Sequence, residues 1–298
     1  MIYTVTLNPA LDYVMHLDSL ILGKINTSRA TELIAGGKGI NVSHVLTALG
    51  VPNMALGFVA GFTGQIIEQE VCDFGGTADF IHLAAGMSRI NVKLRTGAET
   101  DINAAGPAVS EEDLERLYSQ IETISSGDTL VLSGSAPGNL PPDIYEKITM
   151  RLPGRGVELA VDAAGELLLK TLRYCPFLIK PNLEELCGIF GKDALDEDET
   201  AECALKLRAM GARNVLVSKG IDGATLFAEN GKVYHSNIIN KKPVDTVGAG
   251  DAMLGGFLAG WHERGDYEYA LMMGSAAGAA TAATVGIAAR EEILAFLR

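Results

Sequence analysis

The chain has 298 residues, of which 48% are hydrophobic, and its 24 basic residues are outnumbered by 37 acidic ones. A net charge of −13 argues against nucleic acid or an anionic membrane as the main partner. The N-terminal residues lack a secretory-signal pattern, and no window approaches about 18 uninterrupted apolar residues, so we expect no membrane span. Four cysteines without metal-ligand spacing predict reduced thiols in a cytoplasmic protein: Cys72, Cys175, Cys187 and Cys203.

Alternating polar and apolar residues occur in four separate segments of the N-terminal part. They predict antiparallel strands with one polar face, at residues 12–18, 29–35, 89–94 and 99–104. Because the segments are not contiguous, we expect a small sheet that projects from the main domain as a lid. Its apolar face would need a cover, and a second subunit is the simplest one.

The first glycine-rich motif is AGGKGINVSHVLTALG, residues 35–50. Its glycines allow a ligand to approach the backbone closely, and Lys38 could meet a phosphate group. The motif is not a phosphate-binding loop of the Walker A type, because Glu32 and Gly39 stand where that motif needs Gly and Ser or Thr. A flexible turn before a helix is the simpler alternative.

Basic side chains alternate along the segment SRINVKL, residues 88–94, and just beyond it. On a strand, Arg89, Asn91, Lys93 and Arg95 share one face, where a bound anion would relieve their repulsion. A solvated lid surface is the alternative interpretation. Lys24 is a further candidate for the same basic cluster.

The rest of the chain alternates strand and helix patterns. Apolar runs at 128–134, 157–165, 177–180 and 214–220 are separated by helical patterns such as 141–152 and 198–211. This alternation predicts a parallel sheet covered on both faces, with ligands at the carboxyl ends of its strands. Residues 224–235 differ, because two β-like runs joined by Asn230-Gly231 predict an antiparallel hairpin at the sheet edge.

The segment LIKPNLEEL, residues 178–186, begins within the third of these runs and continues beyond it. Asn182 and Glu185 have the spacing of a helix capping box, which is a sufficient structural explanation. The functional alternative is that the pair holds a hydrated magnesium ion, which prefers oxygen ligands and keeps several of its waters.

The second glycine-rich motif is PVDTVGAGDAMLGGF, residues 243–257. The amides of Gly248, Ala249 and Gly250 stand at a helix start and could bind the charge on a transferred phosphoryl group. Asp251 would then accept the proton of the attacking hydroxyl, although it could also be a simple N-cap. A dinucleotide-binding fingerprint does not fit, because Met253 stands where its third glycine is needed.

These motifs together resemble the ribokinase-like (PfkB) family of sugar kinases, and the match runs nearly from end to end. The stretches that carry it are TLNPALD, GGKGINVSHVL, GFTG, SRINVK, ETDIN, LSGSAP, LIKPNLEEL and DTVGAGD. The resemblance implies an α/β fold: a three-layer sandwich with a mostly parallel central sheet and a small β-sheet lid. It also implies one kinase domain, residues 1–298, with a discontinuous lid at about 11–36 and 87–106.

The resemblance further implies a role for each matching position. Asp12 would bind sugar hydroxyls, Gly37, Lys38 and Asn41 would contact the phosphosugar, and Arg89 with Lys38 would hold its phosphate, joined by Ser135. ATP would be bound by Lys180, Asn182, Ser218 and Gly220, and Mg²⁺ by Glu185 through water, together with Asn182. The anion hole would comprise Gly248, Ala249 and Gly250, with Asp251 as the catalytic base.

Within the family, the chain is most similar to enzymes that phosphorylate fructose 1-phosphate with ATP. The implied partners are small molecules and a second copy of the chain, which would pair through the lid. Tagatose 6-phosphate is an alternative substrate, and a catalytically silent sugar-phosphate sensor is an alternative from another functional class. Three stretches depart from the family pattern: SGSAPGN at 133–139, GMSR at 86–89 and DAAG at 162–165. The first two are expected near the substrate site and leave the sugar open.

Overall fold

The chain folds around a nine-stranded sheet and a separate four-stranded sheet. A computed structural model describes this arrangement for residues 1–96, 99–236 and 243–297, so part of the predicted lid segment 87–106 lies outside the described residues. The strands of the large sheet are β1 (Ile2–Thr6), β4 (Asn53–Ala60), β5 (Ala78–Leu83), β8 (Thr129–Ser133), β9 (Glu158–Asp162), β10 (Leu178–Ile179), β11 (Asn214–Ser218), β12 (Ala224–Phe227) and β13 (Val233–Ser236). The strands of the small sheet are β2 (Ala10–His16), β3 (Ala30–Gly36), β6 (Arg89–Arg95) and β7 (Glu99–Ile102).

The large sheet has the strand order β13-β12-β11-β10-β9-β8-β1-β4-β5. Neighbouring strands from β11 to β5 pair in parallel, and their nearly continuous apolar runs are buried on both faces, as parallel sheets require. The hairpin of β12 and β13 is antiparallel and forms one edge, which confirms the prediction from Asn230-Gly231.

Helices cover both faces of the large sheet, and the three-layer α/β sandwich is confirmed. One apolar core lies between the sheet and α3 to α7, and a second lies between the sheet and α1, α8 and α9. The helices are α1 (Lys38–Ala48), α2 (Gly61–Asp73), α3 (Glu111–Glu122), α4 (Ile144–Thr149), α5 (Gly165–Leu169), α6 (Leu183–Phe190), α7 (Glu197–Ala209), α8 (Ala249–Arg264), α9 (Tyr267–Ala282) and α10 (Arg290–Ala295). Within the described ranges, no helix is both long and apolar enough to cross a bilayer.

The small sheet contains the four alternating segments in the order β3-β2-β6-β7. Our expectation of antiparallel strands is correct for the two outer pairs and wrong for the central pair, because β2 and β6 run in parallel. The reason is topological: β2–β3 and β6–β7 are two separate hairpins, each necessarily antiparallel, and they join side by side through their first strands. Helices and strands of the main body lie between them in the chain, so no hairpin constrains the central pair.

Candidate active site

Five neighbouring strands of the large sheet, β1 and β8 to β11, end at the same edge, where ligands of open α/β sheets bind. Asp162 and Ser218 are the last residues of β9 and β11, and Lys180 follows β10 directly. Helix α8 begins with Ala249 and carries Asp251 in its first turn. The chain therefore brings residues that are distant in sequence to one site.

Asp251 does not cap helix α8. The N-cap is Gly248, whose φ of 77° lies in the left-handed region that favours glycine, and no side chain among the described residues caps the helix. The carboxylate of Asp251 instead accepts a hydrogen bond from Nδ2 of Asn41 at 2.8 Å. The backbone amides of Gly250 and Asp251 have no acceptor among the described residues, whereas the amide of Ala249 donates to the Thr246 carbonyl at 3.3 Å. Two of the first-turn amides are thus free to bind an anion.

Burial raises the pKa of Asp251 to about 6, and the negative charge of Asp162 contributes to the shift. Lys38, the hydrogen bond from Asn41, and Lys180 act in the opposite direction. The side chain is only 7% exposed. A carboxylate with this pKa is ionised at neutral pH and is a stronger base than an exposed aspartate, as proton abstraction requires.

A buried carboxylate between two lysines lies at the centre of the site. Nζ of Lys38 is 2.9 Å from Oδ1 of Asp162, and Nζ of Lys180 is 3.2 Å from Oδ2. Burial alone would raise the pKa of Asp162, but Lys180 and Lys38 outweigh it and lower the pKa. Burial alone would lower the pKa of Lys38, but the carboxylates of Asp162, Asp251 and Glu185 outweigh it and raise the pKa. Asp162 and Lys38 are therefore both charged at neutral pH.

Lys180 also approaches the start of helix α8. Its Nζ lies 3.3 Å from the position that a Cβ atom would take on Gly250. A side chain at position 250 would crowd the ammonium group, so glycine keeps the cation beside the unpaired amides. Cation and amides together form the kind of site that stabilises a phosphoryl group in transfer.

Helix α1 positions two predicted site residues. Gly37 precedes it with a φ of 142°, and a Cβ atom there would lie 2.8 Å from Cγ2 of Thr6. Lys38 is the first residue of the helix and Asn41 follows one turn later, so both side chains point toward the same edge of the sheet. The motif is therefore a helix start fitted closely against β1 and not merely a flexible turn.

A cavity of about 1090 Å³ lies between the small sheet and this edge of the large sheet. It is lined on one side by Asp12, Arg89 and Asn91, and on the other by Lys38, Asn41 and Asp251, among other residues. Nδ2 of Asn91 donates to the carboxylate of Asp12 at 2.8 Å and holds it in place. The acidic group after the late glycine turn and the basic residues of the small sheet thus open onto one cavity.

A second cavity of about 340 Å³ adjoins the first and shares Gly37, Lys38 and Arg89 with it. Ser135 and Glu185 also line this smaller cavity. Arg89 makes no salt bridge within the described residues; its Nε donates to the Asn8 carbonyl at 3.1 Å and its Nη1 to Asn91. Burial lowers the pKa of Arg89, an effect that Asp12 partly offsets. A guanidinium held in place without a carboxylate partner is suited to an anionic ligand.

The other cations on the same face of β6 already have partners. Asp101 lies 2.9 Å from both Lys93 and Arg95, and Asp12 lies 3.6 Å from Lys93. The repulsion that we expected a bound anion to relieve is thus largely relieved by carboxylates. Lys24 lies exposed on the loop between β2 and β3 and lines neither of these two cavities.

Asn182 and Glu185 form the capping box that their spacing predicts. Oδ1 of Asn182 accepts from the Glu185 amide at 2.7 Å, and Oε2 of Glu185 accepts from the Asn182 amide at 2.9 Å. The other carboxylate oxygen of Glu185 is 3.7 Å from Nζ of Lys38. Asn182 is bridged to Ser218 through the backbone, and Gly220 opens the turn that follows β11 with a φ of 60°. Asn182, Ser218 and Gly220 lie at the same edge but outside both cavities, whereas Glu185 lines the smaller one.

No group of three or more potential metal ligands occurs among the described residues. The described part of the chain thus offers no closed metal cage. One carboxylate, Glu185, beside a phosphate site fits Mg²⁺, which is commonly held by one or two carboxylates, waters and substrate phosphates.

The three departures from the family pattern have different surroundings. Ser88 is buried, and its hydroxyl accepts from the Ala60 amide before α2, while Met87 is 44% exposed. Ala163 and Ala164 line the smaller cavity beside Ser135, so this departure also lies at the site, although we expected only the other two near it. Small apolar side chains there leave room but offer no hydroxyl to a ligand.

Asp162 is the site residue that the sequence analysis missed. Its signal is a charged residue at the end of a buried apolar strand, at the edge where ligands of a parallel sheet bind. A charge that is 0% exposed requires partners, and here both partners are site lysines.

The chain is similar to known proteins over nearly its full length. A family model described as pfkB family carbohydrate kinase matches residues 5–293. The chain is 43% identical over 282 residues to the 1-phosphofructokinase of Bacillus subtilis, covering 95% of this chain and 92% of that protein. It is 38% identical over 289 residues to the D-tagatose-1-phosphate kinase of Bacillus licheniformis, covering 96% and 94%.

A solved structure of the tetrameric inhibited form of phosphofructokinase-2 from Escherichia coli has the same fold. It matches with a TM-score of 0.90 at 26% identity and covers 99% of this chain and 97% of that one. The chain belongs to the pfkB family of carbohydrate kinases and is an ATP-dependent sugar kinase.

Proposed function

We propose that the protein transfers the γ-phosphoryl group of ATP to the 6-hydroxyl of fructose 1-phosphate, giving fructose 1,6-bisphosphate. The observation that carries the proposal is that Arg89 and Asp251 line one cavity, which Asp12 of the small sheet also lines. A ketose 1-phosphate presents an anion at one end and a primary hydroxyl at the other, which matches an arginine and a base that share a cavity.

Arg89 would hold the 1-phosphate, with Ser135 beside it in the smaller cavity. Asp12, fixed by Asn91, would accept hydrogen bonds from sugar hydroxyls. With both ends held, the 6-hydroxyl is aimed at Asp251, and orientation of this kind can remove about 7–11 kcal/mol of a barrier in the best cases. The main role of the lid side is thus positioning.

In the chemical step, the 6-oxygen forms a bond to the γ-phosphorus while the bond from that phosphorus to the oxygen shared with the β-phosphate breaks. The hydroxyl proton passes to Asp251, and ADP leaves. The amides of Gly250 and Asp251 and the ammonium of Lys180 offset the charge on the transferred group. Lys38 would act on the sugar side, as the resemblance implies. Its pair with Asp162 also connects it to the end of the site where the phosphoryl group is transferred.

The nucleotide would lie over the ends of β10 and β11, against Lys180, Asn182, Ser218 and Gly220. Support comes from their common position at the carboxyl edge and from the backbone bridge between Asn182 and Ser218. Glu185 would hold Mg²⁺ through water, and the ion would neutralise phosphate charge. Asn182 contributes less to the metal than the resemblance implies, because its carbonyl oxygen already accepts the Glu185 amide.

Tagatose 1-phosphate is the second candidate substrate, since one relative is named for it. It differs from fructose 1-phosphate only in configuration at C4, so the same arginine and base would serve both. It replaces tagatose 6-phosphate, the alternative from the sequence analysis. That sugar carries its phosphate at C6 and its free primary hydroxyl at C1, the reverse of a ketose 1-phosphate. A silent sensor has no support, because base, amides and cations of a kinase are all present.

The deciding experiment is a coupled ADP-release assay with ATP and Mg²⁺. It compares fructose 1-phosphate, tagatose 1-phosphate, tagatose 6-phosphate and fructose 6-phosphate by kcat/KM. We expect the two ketose 1-phosphates to rank first, with fructose 1-phosphate ahead. A preference for either 6-phosphate would contradict the proposed orientation.

We also propose that two copies of the chain pair through the small sheet. The polar face of that sheet lines the large cavity, and Tyr13, Leu33, Val92 and Ile102 share the opposite face. Leu33 is 45% and Ile102 57% exposed in the single chain, so a partner would cover apolar surface. The solved relative described as a tetramer shows that assembly occurs within this fold.

A further inference from the structure

Asp162 carries a charge that is completely buried, at the end of β9 between Lys38 and Lys180. It is not placed to touch the sugar, because the residues that line the two cavities include its neighbours Ala163 and Ala164 but not Asp162 itself. Its two oxygens face Lys38 at 2.9 Å and Lys180 at 3.2 Å. A buried ion cluster is costly to fold, so its presence at this edge calls for an explanation.

The two lysines come from opposite sides of the site. Lys38 opens helix α1 and lines both cavities together with Arg89, on the sugar side. Lys180 follows β10, two positions before Asn182, and lies beside Gly250 at the first-turn amides of α8. A single carboxylate that accepts a hydrogen bond from Lys38 and forms an ion pair with Lys180 fixes the separation of their ammonium groups.

We propose that Asp162 is a positioning residue, which holds Lys38 and Lys180 as one unit so that the sugar side and the nucleotide side of the site are set at the distance that phosphoryl transfer needs. This inference rests on the proposed function and adds to it a residue that contacts neither substrate. Lysine is a flexible point charge on a four-carbon stem, so its direction depends on such a partner.

The same carboxylate acts on the catalytic base through its charge. Asp251 faces Asn41 and Lys38 from α1, Asp162 from β9 and Lys180 from the segment after β10. Replacing the carboxylate of Asp162 by a neutral amide removes the one negative neighbour of this set and leaves both cations. The ionised form of Asp251 then becomes more favourable, so its pKa falls.

The primary test is Asp162→Asn, measured as kcat, the two KM values and the dependence of kcat on pH. We expect kcat to fall by about a hundredfold, with smaller changes in both KM values, because the lysines lose their alignment. We also expect the acid limb of the kcat profile to move to lower pH by about half a unit or more. A residue that only supports the fold would lower kcat equally at every pH.

Ser133→Ala is the matched control. Ser133 ends the neighbouring strand β8, pairs in register with Asp162, is equally buried, and its hydroxyl has no partner among the described residues. It should keep the wild-type kcat and the wild-type acid limb. A loss of activity in Ser133→Ala as large as that in Asp162→Asn would show that any change in this layer is harmful and would overturn the proposal.

Asp162→Asn leaves two lysines with one neutral partner and could unfold the chain, which a thermal melt would reveal. In that case, Lys180→Met is compared with the double variant that carries both Lys180→Met and Asp162→Asn. The double variant removes one cation and one anion, so it buries no more unpaired positive charge than the wild type. The acid limb should lie at lower pH in the double variant. Identical acid limbs in either comparison would overturn the role of Asp162, whereas a wild-type protein that phosphorylates no ketose phosphate would instead refute the proposed function.

Discussion

Asn41 donates a hydrogen bond from Nδ2 to Oδ2 of Asp251 across 2.8 Å, and it joins the start of helix α1 to the start of helix α8. The two residues are 210 positions apart in the chain. The bond favours the ionised carboxylate, so Asn41 opposes the effect of burial on the base. The family resemblance implies that Asn41 contacts the phosphosugar. The hydrogen bond to Asp251 suits Asn41 to a second role, which is to orient the base.

Asn41→Ala should therefore change the pH dependence of turnover. Without the hydrogen bond, the pKa of Asp251 rises above its present value of about 6, and the acid limb of the kcat profile should move to higher pH, by about half a unit or more. The control is Ser43→Ala on the same helix, which removes a buried hydrogen bond to Asn53. That variant should lose stability but keep the acid limb, and an unchanged limb in Asn41→Ala would refute the orienting role.

The substitution Asp251→Asn tests the catalytic base directly. It keeps the shape of the side chain and its acceptor oxygen for Asn41 but removes the proton acceptor. We expect kcat to fall by about 10²- to 10⁴-fold while fructose 1-phosphate still binds in calorimetry. Asp266→Asn makes the same change at an exposed helix cap of α9 and should be fully active. Full activity of Asp251→Asn would rule out the mechanism.

Arg89 and Arg95 offer a matched pair for the sugar-phosphate site, because both lie on one face of β6 and line one cavity. Arg89 has no carboxylate partner among the described residues, whereas Arg95 is paired with Asp101 at 2.9 Å. Arg89→Met should raise KM for fructose 1-phosphate by about ten- to a hundredfold, since a hydrogen bond to a charged group contributes about 1.5–3 kcal/mol.

Arg95→Met should raise that KM much less, and KM for ATP should stay nearly constant in both variants. Steady-state kinetics with each substrate varied in turn provides the measurement. If the Arg89 variant changes KM for ATP instead, the arginine belongs to the nucleotide side and the proposed orientation of the sugar is reversed.

Local patterns were enough to predict the sandwich, because each buried strand and each helix has its own apolar period and its own end signals. The hairpin at Asn230-Gly231 and the capping box of Asn182 with Glu185 are likewise local and were predicted correctly. The parallel pairing of β2 with β6 was not predicted, because strand direction across two hairpins depends on topology and leaves no mark on residue alternation.

The site was predictable in its motifs but not in its connections. Whether Asp251 caps a helix or acts as a base depends on Asn41, which no local pattern links to it. The importance of Asp162 depends on two lysines that approach it only after folding. Pairings of this kind arise from tertiary structure, so a single sequence supplies the groups and the fold supplies their roles.

Pairing through the small sheet gives a prediction that does not depend on catalysis. Leu33→Glu places a charge on the exposed apolar face, beside Tyr13 in register. Burying an unpaired charge in an interface is costly, so the variant should sediment as a single chain where the wild type sediments as a dimer or larger. Leu205→Glu, on the outer face of α7 and 51% exposed, is the control and should leave the assembly unchanged. A monomeric wild-type protein would contradict the proposal.

The ionised carboxylate of Asp251 should lower the free energy of unfolding, and this can be measured without any substrate. The folded-state pKa of Asp251 is about 6, against an ordinary value of 3.8. Below the ordinary value the carboxyl is protonated in both states and its burial costs little. As pH rises toward and through 6, the native state must hold an ionised group that is more stable in the unfolded chain, so stability from this group is lost.

Asp251→Asn is neutral at every pH and escapes this loss. It should therefore be more stable than the wild type above pH 6, by up to about 3 kcal/mol, and the difference should shrink as pH falls toward 4. Urea unfolding at several pH values gives the measurement, with Asp266→Asn as the exposed control. Parallel stability curves for Asp251→Asn and the wild type would mean that the carboxylate is not destabilised by its surroundings, and that it lacks the raised basicity on which the proposed proton transfer depends.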